Sequence, residues 1–264
     1  MFSKTIKFIT LALILILSWY LYPQNISNIS KSHKNDNKEL FYFTEKRNSQ
    51  DFPKLQYNFN IIVLDLFETK ESEINYLKSK NKEVFCSFSI GTLRDWDNDV
   101  KKYPKKLIGA DYNGWDGETW IDINNEATLY LMKKRIDLSK IKKCTGIEIT
   151  EAENYLHETA FNISYIDQLT YINEIINFAK SKNLKVIMKG NEYQIGEIKN
   201  IDYLINESCQ EEDICDRYND WIESGKYVFN IEFLRPSLPR EKNKYFKSYL
   251  AGENYNGKIF KKIN

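Results

Sequence analysis

Carboxyl, amide and hydroxyl side chains recur where short β-type runs end in this 264-residue chain. They are Asp65, Ser87 and Ser89, Asp122, Glu148 and Thr150, Lys189 and Asn191, Asn206 and Glu207, and Glu232. Residues two apart in a strand share a face, so Glu148 should point with Thr150 and Ser87 with Ser89. Glu148 stands between two isoleucines in the run TGIEIT. An inward charge in such a strand costs stability unless it is paired or used. If paired, it is a structural contact, with Lys189 neutralising Glu148 or Glu207. If used, two carboxyl groups at one cleft suit glycoside hydrolysis: one protonates the leaving oxygen, and the other attacks the anomeric carbon or activates water. Trp96, Trp115, Tyr155 and Tyr193 fall in or near the strand-to-helix loops, where aromatic faces can stack on sugar rings. Aromatic residues make up 14% of the chain, and core packing is their plainer use.

Other chemistries lack their residues. There is no G-x-S-x-G, and His157 is the only histidine within the domain, which disfavours a serine hydrolase. Two histidines and four cysteines argue against a His-rich metal site or a metal-dependent deacetylase. No G-x-G-x-x-G or P-loop appears. The net charge is +1, without the basic excess expected of a nucleic-acid binder.

The elements that must position these residues alternate strand with helix. Strand-like runs lie at 40–44, 61–66, 84–89, 119–123, 145–149, 184–188, 201–206 and 227–233. Helical spacing of apolar residues marks 70–80, 126–141 and 166–182, and the segment KYFKSYLAG near the C-terminus reads as a last helix. Eight apolar runs separated by helices point to a single (β/α)8 TIM barrel, with a doubly wound open sheet as the alternative. A barrel collects its active site at the C-terminal ends of its strands.

The N-terminus stands apart. Lys4 and Lys7 precede the uncharged run 8–22, a secretory pattern short for a spanning helix. No Ala-x-Ala follows, which favours an uncleaved signal anchor over a cleaved peptide. Residues 1–24 form this hydrophobic segment, 25–38 a polar tether, and 39–264 the exported domain. Membrane association is expected through the N-terminal segment only. In an exported protein, Cys209 and Cys215, six apart in a polar stretch, can close a small disulfide loop. Cys86 and Cys144 lie in apolar runs and read as buried thiols.

Several segments, in this order and spacing, resemble glycoside hydrolase family 114, the endo-α-1,4-polygalactosaminidase-like domains. They are IIVLDLFET (61–69), VFCSFSIGTLRDW (84–96), GWDGETWIDI (114–123), RIDLSK (135–140), GIEITEAENY (146–155), DQLTYINEIINFAKSKNLKVIMKGN (167–191), NESCQEEDICD (206–216) and VFNIEF (228–233). The resemblance implies a (β/α)8 barrel that hydrolyses a galactosamine-containing polysaccharide without metal or organic cofactor. Its Asn-Glu-x-Cys motif falls on Asn206, Glu207 and Cys209, and its second cysteine on Cys215. One departure is large. Where the family reads Gly-x-Glu-Pro-Asp-Asn-x-Asp, this chain has Gly146-Ile147-Glu148-Ile149-Thr150-Glu151-Ala152-Glu153. Thr150 replaces the Asp expected to be catalytic, and Asn191 replaces a second acid. Glu207 then needs Glu148 or Glu151 as its partner, with Asp65, Ser89, Trp115, Asp122, Thr150, Tyr155, Lys189, Asn191, Asn206 and Glu232 as substrate-binding candidates. The alternative is a degenerate barrel that binds a polysaccharide without cutting it.

Overall fold

The computed structural model describes residues 37–44, 59–113, 115–234, 243–251 and 261–263. The segment read as signal anchor, and the tether as far as residue 36, lie outside the described residues. Among the described residues no helix is long and apolar enough to cross a membrane.

Eight strands run parallel in one curled sheet: β1 (Leu40–Phe43), β2 (Ile61–Asp65), β3 (Glu83–Ser89), β7 (Gly146–Thr150), β8 (Lys185–Lys189), β9 (Tyr203–Glu207), β10 (Val228–Glu232) and β11 (Phe246–Leu250), in that spatial order. A short β12 (Lys261–Lys262) pairs antiparallel with β11. The two outer parallel strands meet through a side chain. The Leu40 N–H donates to Tyr249 Oη at 3.0 Å, and the Tyr249 hydroxyl donates to Glu39 at 2.9 Å.

Strand alternation splits the apolar residues into two cores. Leu40, Tyr42, Ile61, Val63, Phe85, Ile187, Tyr203, Ile205, Phe229, Ile231 and Tyr249 cluster on the concave face. Ile62, Leu64, Val84, Phe88, Ile147, Ile149, Val186, Met188 and Leu204 face outward into a second cluster. Among the described residues four helices follow the strands: α1 (Glu71–Ser79), α2 (Glu126–Ile141), α3 (Tyr165–Ser181) and α4 (Asn219–Glu223). Their buried stripes, such as Met132 and Ile136 on α2 and Ile172, Ile175 and Ile176 on α3, close the outer core. Asn125 caps α2 by accepting from the Ala127 N–H, and Ser164 with Asp167 forms a capping box on α3.

Two elements differ from the sequence expectation. The run at 119–123 is not a strand of the main sheet. It falls in β6 (Glu118–Ile121), the centre of a small antiparallel sheet with β4 (Thr92–Arg94) and β5 (Ile108–Asp111). A parallel return needs a crossover, usually helical. Here only 3-10 turns at Val100–Lys102 and Lys105–Leu107 intervene, so the chain folds back on itself. The eighth parallel strand is instead β11, in the segment read as a helix. Phe246 joins the outer core and Tyr249 the inner one, an alternation that a helix cannot produce.

Both cysteine pairs are disulfides. Cys209–Cys215 closes the loop after β9 as expected, but Cys86–Cys144 corrects the reading of two buried thiols. Burial in apolar runs is shared by free and bridged cysteine, so the sequence context did not separate them. Cys86 lies on the outer face of β3 and Cys144 just before β7, adjacent strands in the sheet. Loop-closure entropy favours the longer link: the 58-residue separation implies about 4 kcal/mol and the 6-residue separation about 2 kcal/mol. Replacing Cys86 and Cys144 by serine should therefore lower the melting temperature more than replacing Cys209 and Cys215, as measured by thermal unfolding under non-reducing conditions.

Candidate active site

At the C-terminal ends of the parallel strands the concave core changes from apolar to polar. Below lie Phe85, Ile187, Ile205 and Phe229, and above them β7, β8 and β9 present Glu148, Lys189 and Glu207. The Lys189 ammonium stands 3.1 Å from Glu207 Oε1 and 4.0 Å from Glu151 Oε1. These two oxygens are thus no more than about 7 Å apart, with the ammonium in contact with both. Lys189 also lies over the Tyr42 ring, and the Tyr42 hydroxyl donates to Glu148 at 3.3 Å. Carboxylates and the tyrosine around Lys189 hold its ammonium well above the ordinary lysine range against the cost of burial.

Environment separates the three acids. Glu148 is fully buried; its Oε2 has no hydrogen-bond partner among the described residues, and burial pushes its pKa up to about 7. Glu151 remains partly accessible, with 19% of its side chain exposed, whereas Glu207 is 34% exposed. Burial, helped by Glu118, Glu148 and Glu207, raises Glu151 to about 8, with Lys189 opposing. Backbone geometry aims these groups. Immediately past the three strand ends, Glu151 (φ 48°), Gly190 (75°) with Asn191 (58°), and Ser208 (57°) all adopt left-handed conformations. A non-glycine residue rarely enters this region, and such residues gather at functional sites.

The other sequence candidates divide. Thr150 faces inward beside Ser89 in the β3–β7 register. Ser89 bonds Thr92 Oγ1 at 2.5 Å and accepts from the Thr92 N–H, which ties it to the β4 turn. Asp65 faces the mouth but is already engaged: Oδ2 accepts from Arg94 at 2.8 Å, and Oδ1 from the Phe67 and Glu68 N–H groups. Asn191 is buried and braces its loop, donating to Ala152 O and Gln194 Oε1. Tyr155 is half-buried, edge-on to Tyr165, and Trp115 is 57% exposed. Asp122 accepts from the Asn124 N–H in the turn before α2. Asn206 and Glu232 lie on the outer face and not in the mouth. Asn206 accepts from the Cys209 N–H and donates to Tyr218, and Glu232 accepts from the Gln210 and Glu211 N–H groups. Strand parity explains this: Glu207 and Ile231 point inward, so their chain neighbours Asn206 and Glu232 point out. Both hold the disulfide loop.

Three groups beside the mouth went unread in the sequence. Glu118, on β6, is buried and accepts from Thr92 Oγ1. Glu153 accepts from the Asn191 N–H and is raised by burial. The Tyr112 hydroxyl is pushed up by burial and by the Glu151 charge, and its ring packs edge-on to Trp120, which stacks on His157. Glu118 falls in the loop just before the run 119–123 in the sequence reading, whereas the structure makes it the first residue of β6. Two aromatics and a glutamate in GWDGETWIDI were the available signal.

Parallel strands with acids gathered around a lysine at their C-terminal ends place polar chemistry where barrel-type enzymes hold their active sites. The chain matches glycoside-hydrolase family GH114 over residues 29–262 and belongs to that family. Ega3 of Aspergillus fumigatus, solved in complex with galactosamine, is similar at TM-score 0.75 and 22% identity, over 86% of this chain and 94% of that one. The glycoside hydrolase domain of PelA from Pseudomonas aeruginosa has TM-score 0.64 at 11% identity, over 83% and 96%. An uncharacterized protein of Methanocaldococcus jannaschii is 22% identical over 256 residues, 83% of this chain and 74% of its own length. At such identities the structural likeness speaks to the fold.

The raised acids have a consequence for stability. Between about pH 4.5 and 7 the folded chain keeps a proton on Glu148 that the unfolded chain has released, so stability falls as pH rises through that interval. Glu151 extends the fall to about pH 8. Melting temperature should therefore decline from pH 5 to 8. Glu148→Gln should flatten the lower part of that decline and raise the melting temperature at pH 8, as read by thermal unfolding across the pH series.

Proposed function

We propose that this glycoside hydrolase cleaves an exported amino-sugar polymer, with Glu207 and Glu151 as its carboxyl pair. The observation that carries the reading is Lys189, whose ammonium is set between these two acids at the mouth of the sheet. Glu151, protonated up to about pH 8, donates its proton to the departing glycosidic oxygen. Glu207, salt-bridged to Lys189, supplies the carboxylate that faces the anomeric carbon or its attacking water. Glu148 is too deeply buried to touch a sugar, and supports the floor through Tyr42. Thr150 lacks a carboxyl, and Glu151, the next residue, serves in its place.

Substrate charge follows from the same cluster. Glu118, Glu151, Glu153 and Glu207 share Lys189 as a cationic neighbour, so carboxyl groups outnumber it at the mouth. That excess suits a polymer bearing free ammonium groups, and Ega3, similar in fold, was solved with galactosamine. The parallel sheet closes as a (β/α)8 barrel through Tyr249 and forms, with residues 39–264, the single catalytic domain. The apolar run 8–22 directs export and tethers the domain, and two disulfides suit that oxidising destination.

The full chain, incubated with a panel of amino-sugar polymers that includes α-1,4-linked galactosamine, should release new reducing ends. Glu207→Gln and Glu151→Gln should each lower that release by about 10²-fold or more, with the far-UV circular dichroism spectrum showing that each variant keeps the fold. Turnover within a few-fold of wild type in either variant removes that residue from the pair. A chain that binds these polymers and releases no reducing ends is the binding-only barrel. Fractionation of the native cells should find the protein outside the cytosol; a soluble cytosolic pool rejects the export role of the N-terminal run.

A further inference from the structure

The turn that carries Glu151 is held from two sides. Toward the β4–β6 hairpin, buried Asn154 donates to Gly91 O at 2.9 Å and to Ile121 O at 3.3 Å. Toward β8 the hold is Asn191, fully buried and two residues past Lys189. Its Nδ2 donates at 2.9 Å to the carbonyl of Ala152, the residue after Glu151. Its backbone N–H donates to Glu153 Oε1. The two loops are in such close contact that a Cβ placed on Gly190 would stand 2.7 Å from that same oxygen. The Gly190 N–H donates to Ile205 O at 3.1 Å, which extends the joint to β9, two residues before Glu207.

Hydrogen-bond polarity fixes what residue 191 must be. Ala152 O is a carbonyl and can only accept. Asn191 Nδ2 also donates to Gln194 Oε1 at 2.8 Å. The Gln194 amide is itself oriented, because its Nε2 donates at 2.7 Å to Tyr165 O, a second carbonyl. Both neighbours of the Asn191 side chain therefore demand a donor, and an NH₂ group has one hydrogen for each. The other end of the side chain, Oδ1, has no hydrogen-bond partner among the described residues. Asn191 thus works as a donor alone. A carboxylate of the same shape would bury its oxygens against two acceptors, at the full cost of unmade hydrogen bonds.

We propose that Asn191 is a positioning residue of this hydrolase: its side-chain amide docks the Glu151 turn onto the end of β8, and so sets the Glu151 carboxyl against the Lys189 ammonium. The inference rests on the reading of Glu151 as proton donor. At 4.0 Å, the Lys189–Glu151 contact has no slack. A catalytic group displaced by about 1 Å can lose on the order of 10²-fold in rate. Asn191 is shut away from solvent and touches no sugar, so its effect falls on kcat and not on substrate binding.

The test uses the full chain and a galactosamine polymer, with kcat and KM measured well below each variant's melting temperature. Asn191→Asp keeps the shape and exchanges the donor for an acceptor. It should lower kcat by about tenfold or more, with KM within about twofold of wild type. The double variant with Glu151→Gln separates positioning from general support. If Asn191 acts through Glu151, adding Asn191→Asp to Glu151→Gln costs little further turnover. An equal loss in both backgrounds, or a loss carried by KM, overturns the positioning role. So does folded Asn191→Asp with turnover within about twofold of wild type while Glu151→Gln is impaired, and the carboxyl pair then stands. Full turnover in Glu151→Gln overturns the donor reading, and the part of Asn191 with it. If Asn191→Asp does not fold, Asn191→Gly is held to the same criteria; it suits the left-handed backbone at φ 58° and removes the amide without adding charge. If neither variant folds, the amide is a requirement of the fold and the proposal is overturned.

Discussion

The ammonium of Lys189 sits beneath the mouth of a parallel sheet, where an ion costs several kcal/mol in lost hydration unless partners replace the water. Glu207 and Glu151 are those partners, with the Tyr42 ring against the lysine stem end. Each neighbour is in turn constrained by the lysine. Remove the positive charge and Glu148, Glu151 and Glu207 would face one another with nothing between them; add a second one and the proton on Glu151 would be lost. One cation among several carboxyl groups cannot neutralise them all, so the charges of these acids depend on one another.

The rest of the fold supplies this arrangement with a floor and a wall. The floor is the inner core, whose aromatic and β-branched side chains fill the concave face up to Ile187 and Ile205, one strand period below Lys189 and Glu207. A filled interior leaves water only above, so the acids are dry on one side and open on the other. The wall is the β4–β6 hairpin. A continuous run of ion pairs, from Arg135 with Asp97 and Asp99 to Arg94 with Asp97 and Asp65, roots it in α2 and β2. Asp65 belongs to this root. Its Arg94 contact and its two backbone donors leave little capacity for a sugar.

Period-two alternation with hydrophobic runs made most of the sheet legible: seven of the eight parallel strands, and the inward direction of Glu148, Thr150, Lys189 and Ser89, follow from it. It failed where local pattern and topology diverge. The run at 119–123 looks like any other buried strand, and what sets it apart is the connection from β3, which holds short strands and 3-10 turns instead of a crossover helix. Phe246–Leu250 reads apolar-polar-polar-apolar-apolar, so period-two alternation is absent from the sequence, and the adjacent Lys247 and Ser248, buried through their own contacts, give it the look of a helix with a polar face. Asn206 and Glu232 turn outward for a simpler reason: each stands next to a residue that faces inward, and strand parity decides direction even for a motif residue such as Asn206. The Cys86–Cys144 link was illegible because adjacency of β3 and β7 arises only once the hairpin is recognised as an insertion between them.

Glu151 is aimed by its backbone turn rather than by strand parity. Had β7 continued straight, parity would send residue 151 outward, away from Thr150 and the mouth. The turn at φ 48° brings its carboxyl back over the strand end, within 4.0 Å of Lys189. That conformation carries a steric cost for a residue with a Cβ, and the surroundings hold it: Gly91 gives the Glu151 carbonyl room that no other residue could, and Asn154 locks the loop to both hairpin strands. A carboxyl placed by a turn can stand farther from the floor than one placed by a strand. It is therefore more exposed than Glu148, yet still close enough to the other acids to keep its proton. The left-handed glutamate at 151 therefore depends on Gly91, whose missing side chain leaves room for the Glu151 carbonyl.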